Sequence, residues 1–334
     1  MSSQSISGRS VLVAPDSFKG TFSAAEIAAA VGRGLAAAGV GADLCPVADG
    51  GEGTLAALRG PLAAEFVEVA THDPLGRPLT AAFGLSADGR TAIVETAAAS
   101  GLGLVAEHER DAWAASTAGT GELIAAAAQA GARTILLGVG GSATTDGGAG
   151  ALEAIEAGGG LRGAHLVVLC DVTTPFADAA RVFGPQKGAD PALVAALSER
   201  LDALAAQLPR DPRGVPLTGC AGGLSGGLWA ALGATLTPGA AWVLDSVGFD
   251  GRAAAADAVV TGEGRLDGQT LAGKLIGEIA ERSRRAGVPL HAIVGSTTLA
   301  PDALTQIALA GVQTASTLDQ IERAGELLGG RLAA

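Results

Sequence analysis

Residues 138–150 read GVGGSATTDGGAG, and residue types in this pattern can do chemistry that an ordinary loop cannot. Six of the thirteen are glycine, with Ser142, Thr144, Thr145 and Asp146 set between the glycine pairs. Glycine lets the backbone turn successive N–H groups toward one point, and at a helix start those groups cradle an anion. Hydroxyls add hydrogen bonds, and Asp146 offers a hard oxygen ligand for a divalent cation beside phosphates. A tight turn would account for a lone glycine pair. This density favours a phosphate-binding loop, with Gly140, Gly141, Ser142, Thr144, Gly147 and Gly148 as the binding residues. A nucleotide-handling enzyme is the working hypothesis. A second cluster, GCAGGLSGG at 219–227, adds Gly222, Gly223 and Gly226 as candidates for the same work.

The loop has no GK[ST] ending, so it is not a Walker loop, and its lysine must come from elsewhere. Of 22 basic residues only three are lysine: Lys19 in PDSFKG, Lys187 in FGPQKG and Lys274 in LAGK. A compact ammonium suits phosphate oxygens where a planar guanidinium does not fit. Carboxylates stand near such segments too: Asp16 beside Ser17 and Lys19, Asp49 in VADGGEG, Asp171 in CDVTTP, and Glu263 with Asp267 around Arg265 in GEGRLDG. Asp171 reads equally as a cation ligand and as a turn-capping Asp. A rival pattern is also present, because Gly138-x-Gly140-x-x-Ala143 fits the GxGxxA fingerprint of dinucleotide-dependent oxidoreductases. The ribose-binding acid that fingerprint needs is out of place: Glu153 and Glu156 come early and Asp171 late.

These residues need elements to position them. Residues 10–14 (SVLVA) predict a buried strand ahead of Asp16, and Ser23 with Glu26 forms a capping box for the helix that follows. A strand over 43–47 delivers Asp49 in the same way, with a helix to 59. Short β-rich runs at 65–70, 79–85 and 91–95, separated by turn signals, predict hairpins in a partly antiparallel region beginning near 61. The run 134–137 is a strand and 149–157 a helix, with a further strand at 166–169. Pro191 suits the first turn of a helix running to 208. The polar, proline-rich run 209–216 reads as a linker. From 257 the order β-α-β-α returns, with a helix near 300–309 and another from 318. An outer α/β domain formed by 1–60 and 250–334, with an inserted α/β domain over 61–249, is the simplest organisation.

Composition excludes several classes. The chain has 334 residues, 48% hydrophobic and 17% charged, which describes a globular protein large enough for two domains. A net charge of −12 without basic runs argues against a nucleic-acid partner. No signal-type h-region opens the chain and no apolar stretch is long enough to span a bilayer, so no membrane partner and a cytoplasmic location are expected. The absent signal also weighs against a periplasmic ligand-binding module. Cys45, Cys170 and Cys220 lack CxxC spacing and read as buried thiols in a reducing compartment.

Taken together, PDSFKGTFSA, VADGGEGT, GTGELI, GGSATTDGGAGAL, CDVT-P, FGPQKGA, AGG-SGG and VTGEGRLDGQT occur in the order found in the bacterial type I glycerate kinases, and the chain resembles that family from residue 11 to about 296. The resemblance implies ATP-dependent phosphorylation of D-glycerate, at the 2-hydroxyl to give 2-phosphoglycerate, with Mg²⁺. It implies a split Rossmann-like, restriction-enzyme-like outer domain, an inserted flavodoxin-like domain, and an active-site cleft between them. A homodimer is one expected assembly. Within that frame the glycine segments cradle the nucleotide phosphates, and Lys187 or Lys19 neutralises the transferred group. Asp171 and Asp146 hold the cation. Ser17, Glu263, Arg265 and Asp267 bind the substrate, whose carboxylate Arg265 or Lys19 would pair. Asp16 or Asp49 accepts the hydroxyl proton. The chain departs from the family at Thr145 and Thr174, where Asn is common, at Phe176, where Leu is usual, and in a shortened span between 151 and 168.

Overall fold

Aliphatic and β-branched runs bounded by Gly, Pro and Asp become strands along the whole chain. A computed structural model describes residues 8–266, 275–299 and 307–333. Among these the strands are β1 (Ser10–Val13), β2 (Gly41–Leu44), β3 (Glu65–His72), β4 (Pro78–Leu85), β5 (Thr91–Glu95), β6 (Thr134–Gly138), β7 (His165–Cys170), β8 (Thr235–Pro238), β9 (Ala258–Thr261), β10 (Arg265–Leu266), β11 (Leu290–Val294), β12 (Ser296–Thr297) and β13 (Leu309–Thr314). They are distributed over two α/β units, Met1–Ala48 with Val243–Ala334, and Asp49–Trp242.

The first unit is built on a sheet of order β13-β11-β9-β1-β2 in which every pairing is parallel. Its central strands carry unbroken apolar runs, Val11-Leu12-Val13 and Ala258-Val259-Val260, because both faces are covered. β2 starts and ends earlier than the predicted 43–47, since its ladder with β1 closes at Val13–Leu44 and Pro46 has no N–H to extend it. β13 was not foreseen. Its small residues (LAGVQT) carry little strand signal, and parallel pairing with β11 decides its state. Residues 300–306, most of the helix expected near 300–309, lie outside the described residues, and Leu309 itself is strand.

Helix Ala24–Ala37 begins as its capping box requires: the Ser23 hydroxyl accepts the Glu26 N–H and the Glu26 carboxylate accepts the Ser23 N–H. It packs on helix Leu318–Ala333 at glycines. A Cβ on Gly34 would stand 2.0 Å from the Glu322 carbonyl oxygen, and one on Gly325 would stand 2.6 Å from that of Val31. The two backbones approach too closely for even a methyl group.

The second unit holds a six-stranded sheet, β3-β4-β5-β6-β7-β8. The predicted hairpins form, and the antiparallel β3-β4-β5 continue into the parallel β5-β6-β7-β8. The division between units falls at 48/49, not 60/61. Helix Thr54–Arg59 goes with the second unit because Leu55 fills the space above Gly84 on β4 and donates its N–H to Glu95 on β5. The other division falls at 242/243. The proline-rich run 209–216 is not an interdomain linker: it folds inside this unit, where the buried Thr218 hydroxyl bonds to the Pro212 carbonyl and accepts the Phe176 N–H. Phe83, Phe176 and Phe249 are fully buried among Val, Leu, Ile and Ala, and all three cysteines are buried and free. Among the described residues no helix is long and apolar enough to cross a membrane.

The helix crossing yields a measurable consequence. Ala raises helix propensity over Gly by about 1 kcal/mol, but forcing a carbon into a backbone oxygen costs more. Gly34→Ala is expected to destabilise the protein by about 2 kcal/mol in urea unfolding. Gly251→Ala, where nothing lies within 4 Å of the new carbon, is expected to be neutral or stabilising.

Candidate active site

β6 and β7 are adjacent and parallel, so the segments leaving their carboxyl ends emerge side by side, where α/β sheets place ligands. After β6 comes the glycine-rich stretch and after β7 comes Asp171. Together with the turn Pro185–Lys187 they enclose a pocket of about 320 Å³ of empty space, part of it open to solvent. Its polar lining comes from Gly141, Ser142, Asp171, Gln186 and Lys187, and Val172, Phe183 and Ala221 form an apolar side.

Lys187 is the most consequential group here. It is 2% exposed, and its ammonium donates to the Ser142 hydroxyl at 3.0 Å and to the Thr144 carbonyl. Both acceptors are neutral. Burial pushes the amine down to about 7, against the pull of Asp146 and Asp171 in the other direction.

At most of the glycines predicted to touch phosphate, another part of the protein stands where a Cβ would be. A Cβ on Gly140 would stand 2.6 Å from the Cα of Gly51, and Val139 donates its N–H to the Gly50 carbonyl, so the 49–53 loop lies against the start of the stretch. Gly222 has φ +67°, and its Cβ would meet the Thr144 carbonyl oxygen at 2.0 Å, the same oxygen that Lys187 holds. Gly147, Gly223 and Gly226 accommodate Phe176, and Gly148 faces Leu224. Of the predicted nucleotide glycines, Gly141 alone lines the pocket. Thr144 is fully buried, with its hydroxyl unpartnered among the described residues.

Asp146, expected as a cation ligand, is a brace. Its Oδ2 accepts from the Thr117 N–H and hydroxyl, both at 2.8 Å, and from the Gly150 N–H at 3.2 Å, while its Oδ1 accepts from the Gly148 N–H at 3.0 Å. Among the described residues no three His, Cys, Asp or Glu side chains gather as a metal cluster.

Asp49 is buried in the same unit, with Oδ1 accepting the Gly51 N–H at 3.0 Å. In the first unit the parallel strands β1 and β9 bring two other predicted segments together. Asp16 donates its N–H to the Gly262 carbonyl at 2.8 Å, and a Cβ on Gly264 would lie 3.3 Å from the Cα of Phe18. Asp16, Ser17 and Lys19 thus share one sheet end with Glu263 and Arg265. Asp16 is buried, whereas Lys19 and Arg265 are exposed. Asp267 and Lys274 lie outside the described residues.

Sequence reading passed over three residues that hold the site in shape. Thr117 anchors Asp146. Arg200 donates to the Thr145 carbonyl at 2.6 Å and the Trp113 carbonyl at 2.7 Å. Glu95 accepts the Leu55 N–H at 2.8 Å. Their partners lie 29 to 87 residues away, so no local pattern marks them.

The state of Lys187 can be read from stability. An amine whose folded pKa lies below its unfolded value of 10.5 carries a cost that is fully present below about pH 7. The cost is relieved as pH rises toward 10.5, because over that window the unfolded chain binds the extra proton. Ligand-free wild type is therefore expected to gain stability relative to Lys187→Met between about pH 7 and about pH 10. Urea unfolding of both proteins at each pH measures it, and a pH-independent difference would sink the assignment.

The comparisons with known proteins agree with one another. The model of the glycerate kinase family matches residues 11–159 and 157–328. The glycerate kinase of Bacillus subtilis is 40% identical, covering 89% of this chain and 87% of that protein. The glycerate 2-kinase of Escherichia coli is 37% identical, covering 86% and 85%. A crystal structure of a putative glycerate kinase 2 from Salmonella typhimurium LT2 superposes with a TM-score of 0.81 at 34% identity over 98% of both chains. Matches of this extent and identity show that the chain belongs to the glycerate kinase family.

Proposed function

We propose that the chain transfers the γ-phosphoryl group of ATP to the 2-hydroxyl of D-glycerate, giving 2-phosphoglycerate. Family membership supports the kinase class, and the observation that carries the site is the buried Lys187 on the wall of a pocket shared with Gly141, Ser142 and Asp171. Phosphoryl transfer asks a protein mainly for positioning and for neutralising charge on the transferred oxygens. A buried ammonium whose direct acceptors are both neutral is suited to that task, because an arriving phosphate adds negative charge next to it. Ser142 orients the amine, and the backbone around Gly141 faces the phosphates. Gly140, Gly147, Gly148, Gly222, Gly223 and Gly226 act behind this surface by fixing its shape.

The donor set also fits Mg²⁺. Asp171 is the sole carboxylate among the residues lining the pocket, so phosphate oxygens and water would complete an oxygen shell around it. Such an ion supplies charge neutralisation on the phosphates when bound. Asp146, with both oxygens engaged, is assigned to holding the loop. In the first unit we assign the glycerate carboxylate to Arg265 or Lys19, with Ser17 and Glu263 binding its hydroxyls and Asp267 adjoining them in sequence. Asp16 or Asp49 accepts the proton of the attacking hydroxyl. In fold terms this reading makes the discontinuous unit the restriction-enzyme-like one and the continuous unit flavodoxin-like. Cytoplasmic residence and a homodimer complete it.

The oxidoreductase alternative finds no support in the family match, and the glycines of its fingerprint are occupied by Gly50 and Gly51.

Phosphorus NMR of the product formed from ATP and D-glycerate tests the reading. The 2-phospho isomer is expected; the 3-phospho isomer would overturn the regiochemistry, and unchanged ATP the activity. Asp171→Asn is expected to weaken the Mg²⁺ dependence of turnover by about tenfold to a hundredfold. Near-normal turnover in both Asp16→Asn and Asp49→Asn would place the base elsewhere.

A further inference from the structure

Glu95 ends β5 opposite Gly138 of β6, and its neighbour Thr96 donates an N–H to the Gly138 carbonyl at 2.9 Å. Its half-buried side chain turns toward the loop that follows Asp49. The carboxylate accepts the Leu55 N–H at 2.8 Å, and the Gly53 and Thr54 N–H groups also favour its anion. Helix Thr54–Arg59 starts at Gly53, which has no side chain with which to cap it. A carboxylate from a strand forty residues away does what an N-cap residue ordinarily does. The arrangement is kept although burial, and the negative charge of Glu52, push the carboxyl above its ordinary range.

The same loop is tied at three further points. Gly51 donates to the Asp49 carboxylate at 3.0 Å, and the Gly50 carbonyl accepts the Val139 N–H at 3.1 Å, with the Thr54 hydroxyl closing the turn onto the Gly51 carbonyl at 2.7 Å. Glu95 is the tie from beneath. Without it the Leu55 N–H at the helix start loses its acceptor, and the Gly53 and Thr54 N–H groups lose the anion they face.

We infer that Glu95 is a positioning residue for the kinase reaction, holding the 49–54 loop, and with it Asp49 and Glu52, in the conformation that turnover requires. The inference rests on the reading that this loop belongs to the kinase site. It names no contact between Glu95 and either substrate.

The test compares full-length wild type, Glu95→Ala, Glu95→Gln and Asp49→Asn by steady-state kinetics and by amide hydrogen exchange. Glu95→Ala is expected to lower kcat by about tenfold to a hundredfold with KM values within about threefold. Exchange should quicken over 49–60 while the strands of the sheet keep their protection. Glu95→Gln, which retains an oxygen for the Leu55 N–H, should recover most of both. A kcat for Glu95→Ala within about twofold of wild type overturns the inference, as does equal loss in both variants without faster exchange over 49–60. Should Glu95→Ala fail to fold, Glu95→Gln decides: near-normal kcat and protection support the role, and their loss overturns it. Normal turnover in Asp49→Asn beside a deficient Glu95→Ala removes Asp49 as the base and keeps the loop's role. The reverse pattern removes the Glu95 inference alone.

Discussion

Main chain packed directly on main chain is the constraint on which the second unit depends. Gly140 meets Gly51, Gly222 meets the Thr144 carbonyl and Gly227 meets that of Gly147, each at a separation no side chain would permit. Because these contacts carry no rotamers, they hold the loops in one arrangement at little side-chain entropy cost. The Thr144 carbonyl is where this packing reaches the chemistry. Gly222 presses against it from one side and Lys187 donates to it from the other. Shape in the wall therefore becomes position in the pocket.

Electrostatics completes the arrangement. An ammonium buried against a hydroxyl and a carbonyl is costly, and burial accordingly lowers its pKa despite two nearby carboxylates. Asp146 adds a nearby negative charge while its oxygens accept from Thr117, Gly148 and Gly150. The cation thus sits directly on neutral acceptors, with the negative charges of Asp146 and Asp171 nearby. Outside the pocket, Arg200 donates to the Thr145 carbonyl, and Glu95 accepts the Leu55 N–H at the helix that follows the 49–53 loop.

The first unit combines strand direction with the same close backbone packing. Its all-parallel sheet has buried central strands, and their common carboxyl end gathers Asp16, Ser17, Lys19, Glu263 and Arg265, with Gly295 packed against the Gly264 backbone and Gly262 against the Ile293 carbonyl beside them. Parallel pairing of β1 with β9 brings residues 16 and 263 together from opposite ends of the chain. Glycines serve this unit at the helix pair, where Gly34 and Gly325 let two backbones cross closely.

What the sequence determined by itself was local chemistry and local period. The capping box at Ser23, the strands leading to Asp16, residue 138 and Asp171, and the hairpins from 65 to 95 were legible because apolar runs and turn residues act over a few positions. The scarcity of lysine marked Lys19, Lys187 and Lys274 alike as candidates, and the fold places Lys187 in the pocket after β6 and β7. Tertiary structure alone decided the rest. β13 is a strand because β11 pairs with it, and helix Thr54–Arg59 joins the second unit because Leu55 and Glu95 hold it there. The role of each glycine was likewise hidden, since a glycine that frees a backbone for phosphate and one that admits another backbone are the same residue in a sequence. Only the atom standing where its Cβ would be tells them apart.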